Sequence, residues 1–302
     1  METRHLRYFL AVAATQHMTR AAEQVNVTQS TLSHQIRQLE ELLGTVLFDR
    51  VGRGIRLTQA GEVFRGFAQR ALKEIEDGAM ALSELDKLVR GHLRIGVIHT
   101  FNSALIPPVM SKFVTAYPSV HVTAEEMTAL KTEESIMEGN IDLGIAFAPC
   151  THEEIESEPL FDEELVLITH KDKLARAGKT MQASGLADLK LALLTRGYMT
   201  RRLIDEAFGQ YVGANVILEM NSIDALLSTV RTGALSTVLS DRAIGDDREL
   251  IKTRIARPTV VRTAALLWHK ERYRTAAARE FARMFKAALP VGRRRSPISP
   301  AR

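Results

Sequence analysis

The sequence predicts a mixed fold: an α-helix-rich winged helix-turn-helix head, a long linker helix, and an α/β domain of about 200 residues. Three observations predict it. Apolar residues recur at three- and four-residue spacing through most of the first 88 residues. The chain then alternates short apolar strands with helical stretches until about residue 290. With 302 residues, it is also longer than one ordinary domain.

The head begins with two short predicted helices. Residues 4–15 carry an apolar stripe at helical spacing, and a second helix follows that ends near Val25. We expect the Thr19 hydroxyl to cap the second helix. Asn26 then predicts a tight turn, because asparagine tolerates left-handed backbone, and Thr28 predicts the N-cap of a third helix.

The predicted third helix has an apolar and a polar face. Leu32, Ile36, Leu39 and Leu43 form one stripe, and the polar stripe is displaced by about two residues, or roughly 200°. Short or forked hydrogen-bonding groups near a helix N-terminus are typical of a helix that reads base edges in the major groove. The alternative is an ordinary solvated helix face. The candidate DNA-binding residues of this segment are Thr28, Gln29, Ser30, Ser33, His34 and Arg37.

Residues 47–58 predict a β-hairpin with apolar arms and a Gly52-Arg53-Gly54 tip. Beside a DNA-reading helix, such a hairpin forms a wing. Arg50, Arg53 and Arg56 would then contact phosphates or the minor groove and add affinity with little sequence reading. The alternative is a basic surface turn.

A long linker helix is predicted from about Gln59 to Leu88, capped by Thr58. Some thirty residues would span roughly 45 Å, which is longer than the small head can bury. We therefore expect dimerisation through this helix, which would make the operator an interrupted palindrome. Packing on the chain's own C-terminal domain is the alternative. The expected apolar stripe comprises Phe64, Ala68, Ala71, Ile75, Ala79, Leu82, Leu85 and Val89.

The C-terminal domain follows a helix break at Arg90-Gly91. Alternating strands and helices imply parallel βαβ units, with ligand positions at the carboxyl ends of the strands. The predicted strands are 93–98, 120–124, 142–147, 164–169, 190–194, 216–220, 236–239 and 263–268.

Composition excludes several classes of function. Cys150 is the only cysteine, which excludes an intramolecular disulfide and a multi-cysteine metal site. The chain has no run of 18 apolar residues and no signal-peptide pattern, so we expect a cytoplasmic protein without membrane contact. The formal net charge of +4 is weak evidence for nucleic-acid binding, because the basic, Pro- and Ser-containing tail 291–302 supplies as much through its four arginines.

Residues 4–65 resemble the LysR-type transcription regulators. The resemblance lies in Ala21-Ala22, Val27-Thr28-Gln29-Ser30-Thr31-Leu32-Ser33, Leu47-Phe48-Asp49-Arg50 and Leu57-Thr58-Gln59-Ala60-Gly61. It implies an antiparallel pair of linker helices and two periplasmic-binding-protein-like lobes with an effector in the cleft. The implied divisions are a head 1–58, a linker helix 59–90, a first lobe 91–163 and 266–290, a second lobe 164–265, and the tail 291–302.

Candidate effector-binding residues follow from the same resemblance. Thr100 follows the first strand, where its hydroxyl and nearby amides are placed to hold an anionic group, and it matches a position that family members use for this. For each threonine alone, helix capping is the alternative explanation. The candidates are Thr100, Phe101, Thr128, Phe147, Thr195 and Thr200.

Within the family, segments in both halves resemble the cyanate-operon regulator, including Thr100-Phe101 and Gly144-Ile145-Ala146-Phe147-Ala148-Pro149. This implies cyanate as the effector, with a small organic or aromatic acid as the alternative. Expected partners are promoter DNA and a second copy of the chain. We expect dimers to pair into homotetramers, and RNA polymerase is a further candidate partner.

Two rival functions remain open. An enzyme is disfavoured, because the sequence has no Gly-x-Ser-x-Gly elbow, phosphate loop or dinucleotide fingerprint, and we predict no catalytic residue, metal or cofactor. His152-Glu153-Glu154 is interpreted as a solvated loop. Cys150 is either a redox sensor or a passive small residue. A solute-binding module without DNA activity would explain the second half of the chain and leave the first sixty residues unexplained.

Overall fold

The computed structural model describes residues 1–51, 54–84, 91–176, 179–245 and 247–289. These residues form two compact units. The first contains the head and the linker helix, together with residues 137–140 and 271–276, and the second contains the other described residues from 91 onward. Among the described residues, no helix combines the length and apolarity needed to cross a membrane.

The head and linker helix follow the predicted order of elements. They comprise α1 (Thr3–Thr15), α2 (Met18–Gln24), α3 (Gln29–Leu43), β1 (Phe48–Val51), β2 (Gly54–Leu57) and α4 (Gln59–Glu84). The core of this unit is centred on Phe9, whose ring lies 5.2 Å from that of Phe48 and 5.0 Å from that of Phe64. The hairpin and the linker helix are thus packed against the same apolar centre as α1.

Local turn chemistry confirms most of the predicted helix boundaries. Asn26 has a left-handed φ of 55°. Thr28 caps α3 by accepting a hydrogen bond from the Thr31 amide, and Thr58 caps α4 by accepting one from the Gly61 amide at 3.0 Å.

Two predictions about the head are wrong. Thr19 does not cap α2, because the helix already begins at Met18. The His17 ring is the N-cap instead and accepts a hydrogen bond from the Arg20 amide. Leu43 does not join the buried stripe and is 37% exposed, since it is the last residue of α3 before Gly44 reverses the chain with a φ of 68°.

The second unit is an α/β fold. Its elements, including the ends shared with the first unit, are β3 (Gly91–Val97), α5 (His99–Ala104), α6 (Ile106–Ala116), β4 (Val120–Glu126), α7 (Ala129–Glu138), β5 (Leu143–Ala148), β6 (Ile155–His170), β7 (Thr180–Gln182), β8 (Leu191–Leu194), α8 (Met199–Val212), β9 (Val216–Met220), α9 (Ile223–Arg231), β10 (Thr237–Ser240), β11 (Leu250–Ala256), β12 (Val261–His269) and α10 (Ala276–Ala288). Two short 3-10 helices, Lys171–Arg176 and Ala183–Asp188, flank β7.

The long strand β6 connects two lobes. Its first part pairs with β12, which also pairs with β5, and its second part pairs with β10 and β11. The chain therefore enters the second lobe near Glu164 and returns between Ala256 and Val261. The return strand β12 begins at Val261, so the boundary predicted at residue 266 falls inside a strand of the first lobe.

The expectation of parallel βαβ units holds for part of the unit. Strand β3 is parallel to β4 and β5, and β8 is parallel to β9. The pairings of β6 with β10, β11 and β12 are antiparallel. Strands β7 and β11 and the first part of β6 were not predicted. In β11, charged residues such as Lys252 and Arg254 interrupt the apolar pattern, and only alternate parts of the strand are buried.

Candidate nucleic-acid interface and ligand pocket

The polar stripe of α3 lies on the outside of the head. Leu32 and Leu39 are fully buried on the opposite face, and Ile36 is 4% exposed. This places the predicted base-reading side of α3 in solvent, where a major groove can reach it. Gln29, Ser30, His34 and Arg37 are exposed, and Ser33 is half-buried.

Thr28 and Arg37 make local bonds on this surface. The Thr28 hydroxyl accepts from the Thr31 amide at 3.2 Å and contacts the Ser30 hydroxyl at 3.0 Å. Arg37 donates from Nε to the Ser33 carbonyl at 3.3 Å. Thr28 is therefore engaged as a cap, whereas the guanidinium of Arg37 is fixed against the exposed side of its own helix.

The hairpin is joined to α3 by a partly buried carboxylate contact. Glu40 Oε1 accepts hydrogen bonds from the amides of Leu47 at 2.8 Å and Phe48 at 3.2 Å. In the hairpin, Arg56 is exposed and lies opposite Asp49. Arg50 lies in β1 with its side chain outside the description, and Arg53 lies outside the described residues.

A pocket in the second unit brings together the starts of four helices. The first residues of α5, α7, α8 and α9 all line it, together with Phe147 at the end of β5 and Arg262 in β12. About 380 Å³ of space, which includes open solvent, lies inside this outline. Because helix N-termini carry free amides and partial positive charge, the lining is suited to an anionic group. The lining residues are Ile98, His99, Thr100, Met127, Thr128, Ala129, Phe147, Tyr198, Met199, Thr200, Ile223 and Arg262.

The structure places four of the six predicted effector residues in this lining: Thr100, Thr128, Phe147 and Thr200. Phe101 is 1% exposed and packs edge-on behind Phe147, with ring centroids 5.6 Å apart. Thr195 is not among the lining residues.

The three lining threonines differ in what their hydroxyls do. The Thr128 hydroxyl caps α7 by accepting from the Lys131 amide at 3.3 Å. The Thr200 hydroxyl accepts from Nη1 of Arg262 at 2.8 Å. Within the part of the chain that the structure describes, no hydrogen bond is made by the Thr100 hydroxyl, so it is the threonine most available to a ligand.

Arg262 was missed by the sequence analysis. Its side chain is 7% exposed, and Glu163, which is fully buried, binds its Nε and Nη2 through one carboxylate oxygen at 2.5 Å. The guanidinium carbon also lies 3.7 Å above the Phe147 ring. Burial lowers the pKa of Arg262 and the Glu163 carboxylate opposes this effect. The two partners stand 99 residues apart in the chain, so no local pattern joins them.

His99 was also missed. Its Nδ1 lies 2.9 Å from Glu126, and its Nε2 lies 3.5 Å from Asp224 on α9 in the second lobe. Tyr198 completes this side of the pocket and donates to the Asn221 carbonyl at 2.5 Å. Burial and the nearby Glu126 carboxylate raise the pKa of Tyr198, so it remains a neutral phenol.

Cys150 lies outside the pocket lining. Burial, assisted by the Glu133 carboxylate, raises the pKa of Cys150 to about 11. Glu133 also accepts the Thr151 amide at 2.8 Å and so fixes the loop that carries the cysteine. The thiol is therefore protonated at neutral pH.

Comparison with known proteins identifies related families for both parts of the chain. The family model of the LysR substrate binding domain matches residues 86–290, and that of the bacterial regulatory helix-turn-helix protein, lysR family, matches residues 3–62. A probable RuBisCO transcriptional regulator of Cyanophora paradoxa is 30% identical over 305 residues, which cover 96% of this chain and 94% of that protein.

Solved structures show the same architecture. A point variant of full-length OxyR from Pseudomonas aeruginosa matches with a TM-score of 0.71 and 24% identity over 95% of this chain and 94% of its own. Full-length CbnR complexed with its target DNA matches with a TM-score of 0.67 and 24% identity over 96% and 100% of the two chains. These likenesses concern the fold, and they confirm the predicted combination of a helix-turn-helix domain with a two-lobed α/β domain.

Proposed function

The chain belongs to the LysR family of DNA-binding transcription regulators, which are not enzymes, and we propose that it controls transcription in response to a small anion. One observation carries the ligand part of this proposal. Four helix starts and the buried guanidinium of Arg262 surround a single pocket, in which the Thr100 hydroxyl is available. Backbone amides and hydroxyls in that arrangement hold a carboxylate or a similar anion.

Cyanate is the first ligand to test, because segments of both halves resemble the cyanate-operon regulator. A small organic or aromatic acid is the alternative. Calorimetric titration of the full chain with cyanate, acetate and benzoate distinguishes these candidates, and acetamide and benzamide are uncharged controls. Binding of the amides at the affinity of the acids would contradict an anionic effector.

For DNA, we propose that α3 enters the major groove and that the hairpin acts as a wing. This is supported by the exposed polar stripe and by the Glu40 contact that holds the hairpin to α3. CbnR, a protein of the same fold, has been solved with its target DNA.

Arg37→Ala and Arg56→Ala separate base reading from phosphate contact. Removing the side chain of Arg37, or that of Ser33, should change which operator sequence is bound preferentially in a competition mobility-shift assay. Removing Arg56 or Arg53 should weaken binding to specific and scrambled DNA by similar factors and reduce the salt dependence. Equal effects on both kinds of DNA from all these variants would refute the assignment of base readers.

We further propose that α4 forms a homodimer and that dimers pair into homotetramers. Four large apolar side chains of α4 are exposed: Val63, Phe67, Ile75 and Leu82, at 61%, 60%, 52% and 70%. Such a stripe on a soluble helix is typical of a helix–helix interface. We also propose that the protein acts in the cytoplasm, as binding to promoter DNA requires, and that RNA polymerase at the promoter is a further partner.

A further inference from the structure

We propose that the buried Glu163–Arg262 pair makes the pocket select monoanions over dianions. The proposal rests on the function proposed above and specifies the charge of its effector. In it, Arg262 donates to the ligand from Nη1, and Glu163 neutralises the charge of Arg262 and acts on the ligand only through it.

The first step concerns the cations around the pocket. Among the described residues that line it, Arg262 is the only lysine or arginine. Its Nε and Nη2 are bound to Glu163, which leaves Nη1 directed towards Thr200 of α8. A ligand oxygen can take the acceptor place of the Thr200 hydroxyl at Nη1, and the hydroxyl can then donate to the same ligand.

The second step concerns the carboxylates. Glu163 lies within 2.5 Å of the guanidinium and is fully buried, so the pair carries no net charge. The negative charge of the Asp241 carboxylate also attracts the Arg262 guanidinium and, like Glu163, opposes the lowering of the pKa of Arg262 by burial. At the other side of the pocket, the single imidazole of His99 meets the carboxylates of Glu126 and Asp224. In the described ranges of the chain, the titratable groups around the pocket therefore do not provide an excess of positive charge.

The third step compares the two classes of ligand. A single negative charge is stabilised by helix amides and hydroxyls, as in the starts of α7 and α8, without a full opposite charge. A second negative charge in a partly buried site needs a cation of its own, because like charges and desolvation both oppose it. The cation that would serve it is already neutralised by Glu163.

The test compares matched acids on the full chain at neutral pH. Calorimetric titrations pair benzoate with phthalate, butyrate with succinate, and cyanate with sulfate. We expect the best-bound monoanion to bind at least tenfold more tightly than its paired dianion. Glu163→Gln retains the shape and one acceptor oxygen but no longer neutralises the charge of Arg262. In this variant we expect dianions to bind more tightly, so that the ratio of monoanion to dianion affinity falls at least tenfold.

Glu164→Gln is the matched control. This neighbouring carboxylate binds Nε of Arg254 at 2.7 Å, and it does not line the pocket. Its removal should leave the monoanion-to-dianion ratio unchanged. A merely structural role of Glu163 would weaken both classes of acid together, whereas the proposed role changes their ratio.

Three results would overturn the proposal: equal or tighter binding of dianions by the wild type, an unchanged ratio in folded Glu163→Gln, or no binding of any acid. If Glu163→Gln does not fold, the wild-type ratio still decides. Promoter binding by fluorescence anisotropy is measured on the same preparations. Loss of anion selectivity with intact promoter binding refutes this inference alone, whereas absence of sequence-selective DNA binding refutes the regulator itself.

Discussion

At the scale of single residues, burial decides what Cys150 can do. A cysteine acts as a redox sensor through its thiolate, and neighbouring cations or a helix N-terminus normally favour that form. Here burial and Glu133 act in the opposite direction and raise the pKa of Cys150 to about 11. Cys150 therefore lacks the surroundings that favour a sensor thiolate.

We predict that Cys150 reacts slowly in the folded protein. With a pKa of about 11 instead of the ordinary 9.0, its thiolate fraction at pH 8 falls by roughly a hundredfold. Iodoacetamide labelling followed by mass spectrometry measures the rate at this single thiol. The control is the chain unfolded in urea, where the thiol is fully exposed. A native rate equal to or above the unfolded rate would show that Cys150 is an activated thiol.

The residues that the sequence predicted well are those whose partners lie within a few positions. The caps at Thr28 and Thr58 and the left-handed Asn26 belong to this kind. Arg262 depends on Glu163, 99 residues away, and His99 depends on Asp224 in the other lobe. The first contact arises from the pairing of β12 with β6 and the second from the approach of the two lobes, so local pattern cannot reveal either.

At the scale of elements, α4 joins the hairpin through a close approach at Gly61. A Cβ at this position would collide with the Leu47 carbonyl oxygen and lie 2.8 Å from Cδ2 of Leu57. The same carbonyl accepts the Thr58 amide at 2.9 Å. The start of the linker helix is thereby locked to the base of the proposed wing.

Gly61→Ala should destabilise the head by about 1–3 kcal/mol, because the methyl group cannot be accommodated without moving backbone. Gly78→Ala, in the same helix with nothing within 4 Å of the new methyl, should stabilise the helix by up to about 1 kcal/mol. Urea unfolding followed by circular dichroism compares the two variants. Equal effects would show that the Gly61 contact is not a constraint.

Exposure along α4 predicts the oligomeric state. Ile75→Glu combined with Leu82→Glu should break the α4 interface and halve the mass of the assembly, because two charges would be buried against a partner helix. Light scattering coupled to size exclusion measures the mass. The control is Ile217→Glu on β9, which is 63% exposed and should leave the α4 dimer intact. A double variant with the mass of the wild-type assembly would place the interface elsewhere.

Elements were predicted where their apolar pattern is regular. All three head helices and the hairpin fall in this group. The first part of β6 was missed, since Glu156, Glu158 and other acidic residues interrupt it. Its pairing with β12 compensates for the weak local pattern, and that pairing is a property of the whole lobe.

At the scale of the whole molecule, the pocket lies where the two lobes exchange strands. Glu163 lies in β6 just before that strand enters the second lobe, and Arg262 lies in β12 just after the chain has returned to the first lobe. Thr200, which binds Arg262, lies in the first turn of α8 in the second lobe. A ligand that replaces the Thr200 bond therefore acts on the contact between the lobes. A ligand shifts such an equilibrium only as far as its affinities for the two arrangements differ.

We predict that an acid found to bind the pocket also changes the bend of the operator in complex with the full chain. Coupling between two sites is typically about 1–3 kcal/mol, which changes affinity roughly 5- to 150-fold, and it is reciprocal. Operator DNA must therefore change the Kd of the acid by the same factor by which the acid changes the Kd of the operator. Energy transfer between dyes at the operator ends measures the bend, and calorimetry with and without DNA measures the acid. Thr200→Val, which removes the hydroxyl between the lobes, should reduce both factors together. An unchanged bend with a saturating acid, together with an acid Kd that DNA does not alter, would separate the pocket from the DNA-binding surface.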